Sequence, residues 1–361
     1  MSLDSTINRL NQLVACDTQN PPRNIHQGSD IFGICSDALS DGFEISVTDH
    51  GEGHVTWFAV RGNPHVLFNV HLDTVPAGEG WSHDPHELVI KDGRAYGRGA
   101  CDIKGAAAVL LTIAKRTSDD MALLFTTDEE GAGGCCVQKF IDSGGTERFS
   151  QVIVAEPTGC RAVTGHRGFL SVKTRFHGLA GHSSEARALN ENANHQMACW
   201  AASALALVGR KKTSPEDPAT CMNLGLVDGG TKSNVIAAHA FVHWSARLQP
   251  GECNQTFLEE IKACAPEYSN AEWEVPFAGE PLPAAGQSSK GAEEFCRQHG
   301  LSIAEPVNFW TEAALFSAAG IPAIVLGPGH ITEAHQTDEW VELDQLEQAL
   351  EIYTRLVSAN E

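Results

Sequence analysis

Several segments of this chain bring an apolar run up to a side chain that can bind a metal or move a proton. Val66-Leu67-Phe68-Asn69-Val70 runs into His71-Leu72-Asp73, Gly99-Ala100-Cys101 into Asp102, and Leu123-Leu124-Phe125-Thr126-Thr127 into Asp128-Glu129-Glu130. Val152-Ile153-Val154-Ala155 runs into Glu156, and Ala334-His335 follows Val325-Leu326-Gly327-Pro328-Gly329. Imidazole and carboxylate together form a ligand set suited to zinc and its neighbours. In open, mostly parallel sheets, ligands bind beyond the carboxyl ends of the strands. Several such ends therefore point to one site on one sheet edge.

Each piece has a plain structural reading beside the chemical one. Asp73, two residues after His71, suits a carboxylate that takes the second ring N–H of a metal-bound imidazole; His-x-Asp is also an ordinary hydrogen-bonded surface pair. Asp102 ends the glycine-rich stretch Tyr96-Gly97-Arg98-Gly99-Ala100-Cys101 and precedes a helix. It is either the N-cap of that helix or a carboxylate bridging two ions. Glu129 and Glu130 are adjacent and so point in different directions: one can ligate while the other holds a water as general base. The competing reading is an exposed acidic turn, with Gly131, Gly133 and Gly134 giving the loop room. Glu156 closes a buried apolar run, where an unpaired charge is costly, so it needs a partner. His182, in Gly181-His182-Ser183-Ser184, is either a surface imidazole or one placed to polarise a carbonyl.

The elements that must carry these residues read as an α/β layer sandwich. The runs 66–70, 122–127, 151–155 and 323–326 are short and apolar on both faces, as buried parallel strands are. Lys104–Arg116 is helical, Ser5–Cys16 puts Ile7, Leu10, Leu13 and Val14 on one helical face, and Leu343–Val357 repeats the pattern. The periodicity changes near Gly168. Leu170, Val172, Thr174 and Phe176 alternate, Asn190–Val208 is helical, Thr220–Val227 is a strand, and Ala240, Val242, Trp244, Ala246 and Leu248 alternate. A helix over Cys253–Ala265 and a strand over Ala271–Phe277 complete a β-α-β-β-α-β, ferredoxin-like order. The expected organisation is a catalytic, metal-binding part at 1–167, an inserted domain at 168–278, and a second catalytic part at 279–361.

Composition narrows the partners. Hydrophobic residues make up 42% of 361, enough for a large core. Lys plus Arg is 25 against 46 Asp plus Glu, a formal net charge of −21. That disfavours nucleic acid and anionic membrane surfaces. No apolar stretch nears the roughly 20 residues of a membrane span, and Met1–Cys16 lacks a signal-peptide pattern. Eleven cysteines without a Cys-x-x-Cys pair, in apolar settings such as Cys199, Cys264 and Cys296, suit reduced, buried thiols in the cytoplasm. The vicinal Cys135-Cys136 reads as packing rather than redox chemistry.

Taken together and in order, these motifs resemble the M20 metallopeptidase family over nearly the whole chain, the inserted domain included. The resemblance implies a dizinc exopeptidase-like fold and a hydrolase of N-acyl amino acids. It implies two Zn2+ ions, with Co2+ or Mn2+ as substitutes: His71 and Glu156 on one, Glu130 and His335 on the other, Asp102 bridging, Glu129 as general base and Asp73 behind His71. It also implies a cis peptide at Asp102-Ile103. His182 would stabilise the oxyanion, often in the partner subunit's site, and Asn234 and Arg247 would contact the substrate carboxylate, with the inserted domain as a dimerisation or lid domain. Trp310-Thr311-Glu312-Ala313-Ala314 and Val325-Leu326-Gly327-Pro328-Gly329 look most like the acetylornithine deacetylase branch. Asn308-Phe309-Trp310-Thr311-Glu312-Ala313, with the segment from Val70 to Pro76, also resembles N-acetylcitrulline deacetylase. The loop after Glu130 departs from the common pattern, being Gly-Ala-Gly-Gly. The implied activity is deacetylation of N2-acetyl-L-ornithine or N-acetyl-L-citrulline in arginine biosynthesis. The alternatives are a succinyl-diaminopimelate desuccinylase, another aminoacylase or dipeptidase, or an inactive metal-binding protein; Glu rather than Asp at position 156 accompanies acyl-amino-acid cleavage.

Overall fold

A computed structural model describes residues 2–131, 136–211 and 219–359 of the chain, so Gly133, Gly134 and Cys135 lie outside it. The chain divides into two compact units. One comprises Met1–Thr164, Ser289–Pro306 and Thr311–Glu361; the other comprises Gly165–Ser288 and Val307–Trp310.

The first unit is built on a six-stranded sheet. In spatial order its strands are Glu44–Asp49, Val55–Arg61, Met121–Thr126, Val66–His71, Gln151–Val154 and Ala323–Val325. The last four run parallel, and every residue in them is buried. That is why their sequences are apolar on both faces. The first two form an antiparallel hairpin against Met121–Thr126, so the sheet is mixed. The sequence pattern did not announce this hairpin, because its outer strand is almost entirely exposed and gains little from an apolar face. Trp57, Phe68, Val70, Phe125, Ile153 and Ile324 share one core with helices Leu3–Val14, Lys104–Arg116 and Leu343–Ser358. Lys104–Arg116 is buried on every side from Lys104 to Ala114, which its alanine-rich sequence allows. On the strand Val55–Arg61, Phe58 points the other way from Trp57. It meets Phe140 of helix Cys136–Asp142 with ring centroids 5.0 Å apart.

The second unit is a four-stranded antiparallel sheet in the order Asn270–Gly279, Phe169–His177, His239–Arg247, Cys221–Gly229. Alternate residues of the two central strands are buried and face helices Ala193–Lys211 and Asn254–Lys262, and the residues between them are mostly part-buried. Trp200 centres that core, 5.9 Å from Trp244 and 5.6 Å from Trp273 between ring centroids. The helical run expected from Asn190 is broken at Asn192, whose side chain accepts the Asn194 N–H at 2.9 Å and restarts the helix. Of the thiols expected to be buried, Cys296 is, Cys264 is partly so, and Cys199 is exposed on the outer face of its helix. The ten described cysteines are all free. No described helix is long and apolar enough to cross a membrane.

Candidate metal centre

The strand Val66–His71 ends on His71, and Glu156 stands two residues beyond the end of its neighbour Gln151–Val154. The strand Met121–Thr126, on the other side, leads into Asp128-Glu129-Glu130. Asp102 comes from the loop before helix Lys104–Arg116, and His335 from the loop after the strand Ala323–Val325. The parallel sheet thus delivers residues far apart in sequence to one edge.

Asp102 divides its two oxygens between two imidazoles. Oδ1 lies 3.1 Å from His71 Nε2, and Oδ2 lies 3.1 Å from His335 Nε2. Glu156 Oε1 is 3.5 Å from His71 Nε2, and Glu130 Oε1 is 3.0 Å from His335 Nε2. Asp102 does not cap the helix; the N-cap position is Ile103, without a side-chain cap, and the Asp102-Ile103 peptide is cis. His335 itself has a left-handed backbone (φ 61°), uncommon outside glycine and typical of residues fixed by their surroundings.

His71 has its tautomer fixed. Nδ1 lies 2.9 Å from the Asp73 main-chain carbonyl, which can only accept, so Nδ1 carries the hydrogen and Nε2 faces the carboxylates. The Asp73 carboxylate Oδ1 stands farther off, at 3.5 Å. The carboxylate's stronger contacts are made by Oδ2, which accepts the Glu130 N–H of the acidic loop at 3.0 Å and the Asn20 side-chain amide at 2.8 Å.

The charge balance of this cluster is unfavourable without a cation. Burial pushes the Glu129 carboxyl well up, and Glu156, Glu130 and Asp102 add to the shift against the opposing His71. Burial, then Asp102, does the same to Glu156. Burial would also raise Asp102, but hydrogen bonds from His335 and His71 outweigh it and hold that carboxyl low. Hydrogen bonds to Asp102 and Glu130 push the half-exposed His335 up to about 10. Among the described residues Glu156 Oε1 is buried with no hydrogen-bond partner, which is costly for a polar atom. Donors 2.0–2.2 Å from a tetrahedral ion stand roughly 3.3–3.6 Å apart, close to the 3.0–3.5 Å separations here. The residues fit divalent cations, and His71, Asp102 and Glu130 have ligand atoms within 4.8 Å of one another.

Two buried acids to which the sequence pattern gave no chemical role, Glu339 and Glu312, support this cluster. Glu339, four positions after His335, accepts the N–H groups of Gly99, Cys101 and Asp102 at 3.1, 2.9 and 2.9 Å, and Arg98 Nη1 at 2.5 Å. This one carboxylate ties the loop bearing Asp102 to the segment bearing His335. Gly99 permits the loop: its φ is +82°, and a Cβ there would meet Lys104 Cδ at 2.9 Å. Glu312, seen in the sequence only as a branch marker, lies buried below the strand ends, where it accepts from Thr126 at 3.2 Å. Burial, then Asp128, pushes its carboxyl up to about 8. A lone acid before a short strand or helix carries no sequence signal for such roles.

The second unit separates the residues expected to meet substrate. His182 is exposed, its Nδ1 2.8 Å from Ser184 Oγ, and it bridges to Val235 beside Asn234. Arg247 lies at the other end of the same sheet, its guanidinium 4.0 Å above the Phe169 ring. His239 and Arg247 open and close one strand, and its eight steps span about 27 Å. Within one chain, Arg247 therefore does not converge with His182 and Asn234.

The sequence profile of peptidase family M20/M25/M40 matches residues 67–359. The chain belongs to this family. Among M20 relatives, N-acetyl-L-citrulline deacetylase of Xanthomonas campestris pv. campestris is 40% identical over 99% of both chains. Acetylornithine deacetylase of Vibrio parahaemolyticus is 30% identical over 87% of this chain and 86% of its own. The M20 fold extends to the aminopeptidase PepT of Bacillus cereus, with a TM-score of 0.73 at 19% identity, covering 99% of this chain and 98% of that one.

Proposed function

We propose that this M20 enzyme is a metal-dependent deacetylase that hydrolyses the amide of an N-acetyl amino acid, releasing acetate and the free amino acid in arginine biosynthesis. The observation that carries the reading is Asp102 with one oxygen toward each imidazole and a further carboxylate on each side. His71 and Glu156 would hold one divalent ion, Glu130 and His335 a second, and Asp102 both. Zinc is the proposed metal, with cobalt or manganese as substitutes. Bound there, the ions supply Lewis acidity, lowering the pKa of water and polarising the acyl carbonyl.

The chain's own residues do the rest. Glu129 takes a proton from the attacking water and returns it to the leaving amine. Asp73 fixes His71 and the backbone under Glu129 and Glu130. His182 donates to the developing oxyanion, and Arg247 and Asn234 hold the α-carboxylate, for which a guanidinium fork is well shaped. Since Arg247 and the His182–Asn234 pair occupy opposite ends of one sheet, a single small substrate needs two copies of the chain. This supports a homodimer formed through the inserted domain, where the edge strand Cys221–Gly229 exposes Leu226 and Val227. Free thiols support a cytoplasmic location.

The 40% likeness over the full length supports N-acetyl-L-citrulline ahead of N2-acetyl-L-ornithine. Acetate release from the two, with succinate release from succinyl-diaminopimelate alongside, tests the assignment. The expected order is citrulline, ornithine, then the succinyl substrate. No turnover on any of them with two ions bound would sink the reading in favour of an inactive metal-binding protein.

A further inference from the structure

The Asp128–Gly131 segment, which carries both Glu129 and Glu130, is gripped from two sides. On one side the Asp73 carboxylate accepts the Glu129 and Glu130 N–H groups at 3.4 and 3.0 Å, and Asn20 holds Asp73 at 2.8 Å. On the other side stands Arg23. Its Nη2 donates to the Gly131 carbonyl at 3.3 Å and its Nη1 to His54 Nε2 at 2.5 Å. A guanidinium has only donors, so His54 Nε2 accepts and Nδ1 carries the hydrogen. Nδ1 then donates to Asp128 Oδ2 at 2.9 Å. One guanidinium thus reaches both ends of the segment, Gly131 directly and Asp128 through His54.

The surrounding backbone makes room for it. Arg23 is itself left-handed (φ 56°). A Cβ at Gly131 would stand 2.2 Å from Arg23 Nη2, and one at Gly53 (φ +78°) 2.5 Å from Arg23 Cγ. Arg23 and His54 both precede residue 67, where the family match begins. His54, Asp128 and Cys136 also have ligand atoms within 4.8 Å, the spacing of a metal site. The hydrogen bonding argues against an ion there: metal on Nδ1 would leave an N–H on Nε2 facing an Arg23 N–H.

We propose that Arg23 and His54 are positioning residues that set the Glu129 carboxylate against the attacking water. The inference rests on the reading of Glu129 as general base. Arg23→Lys replaces a fork with a single point of charge that cannot serve both Gly131 and His54. His54→Phe removes the link to Asp128, whereas the amide of His54→Gln can still donate to Asp128 and accept from Arg23. Full-length Arg23→Lys and His54→Phe are expected to keep two ions per chain and KM within about threefold, with kcat down about 10- to 100-fold. His54→Gln should recover most of that loss. In a Glu129→Gln background, adding Arg23→Lys should cost nothing further, because there is no base left to misplace. If His54→Phe does not fold, Arg23→Lys and the double variant carry the test.

Unchanged kcat per folded enzyme with a lowered Tm would overturn the proposal in favour of a purely structural role. So would additive losses in the double variant, or a third ion that disappears with His54→Phe. Glu129→Gln measured alone separates the two layers. If it turns over normally, the base assignment fails; if it is inactive with both ions bound while Arg23→Lys is fully active, only the positioning role fails.

Discussion

The two units treat their candidate functional residues in opposite ways. In the first, His71, Asp102, Glu130, Glu156 and His335, spread over more than 260 positions, come within 3.0–3.5 Å of a neighbour. In the second, Arg247 is only 13 positions from Asn234 and yet stands at the far end of a nine-residue strand. The difference is one of sheet type. Parallel strands joined by helical crossovers all present their carboxyl ends at one edge, so residues placed after them accumulate there. An antiparallel sheet sends successive strand ends to opposite edges. A small ligand touched at both edges would need a second copy of the chain.

Breaking the convergent side should have the largest effect. Asp102→Ala is expected to lose both ions together and lower activity about a thousandfold or more, whereas Glu156→Ala should spare the ion on the His335 side. Metal content after exhaustive dialysis reads this; loss of only one ion from Asp102→Ala would mean that the carboxylate does not bridge. Next comes the divergent side. His182→Ala and Arg247→Ala should each cost about 100- to 1000-fold alone. Mixed and allowed to exchange subunits, the two inactive proteins should regain roughly a quarter of wild-type activity, because half of the dimers are mixed and half of their sites are intact. No recovery despite verified exchange would place both residues in one chain's site and undo the contrast.

A smaller effect is expected behind the convergent cluster. Glu339→Gln weakens the acceptor shared by Gly99, Cys101, Asp102 and Arg98, and should cost about 10- to 100-fold in metal affinity. Competition against a chelator of known affinity measures it, and unaltered affinity would make the Glu339 network irrelevant to Asp102. The smallest effect concerns Glu312. Its carboxyl is raised from an ordinary value of 4.5 to about 8, so the folded metal-free chain holds this proton more tightly than the unfolded one. Stability then falls as pH rises from about 4.5 through about 8, and Glu312→Gln should flatten that part of the profile. Denaturation midpoints across this range check the slope; an identical profile in the variant would show Glu312 ionised at no cost.

The core strands and helices were legible because burial leaves a periodic trace. Leu170, Val172, Thr174 and Phe176 alternate, and all four are buried; Lys104–Arg116 reads as a helix and is one. The exposed hairpin strand Glu44–Asp49 left no such trace. The metal-type residues were legible for another reason: His and carboxylates at the ends of apolar runs are chemically conspicuous. Glu339 and Arg23 were not, because they reach main-chain groups of distant segments, the N–H groups of Gly99, Cys101 and Asp102 and the Gly131 carbonyl. A backbone N–H or carbonyl has no residue type to read.

The sequence by itself determined the buried core elements, the family and the inventory of acids and imidazoles, since each depends on residue type and local spacing. Only the tertiary structure decided how Asp102 shares its oxygens, which atom of Asp73 holds His71, and that Arg247 lies apart from His182 and Asn234. Those are distances between atoms on different strands, set by sheet order and direction, to which the spacing of residues along a chain is blind.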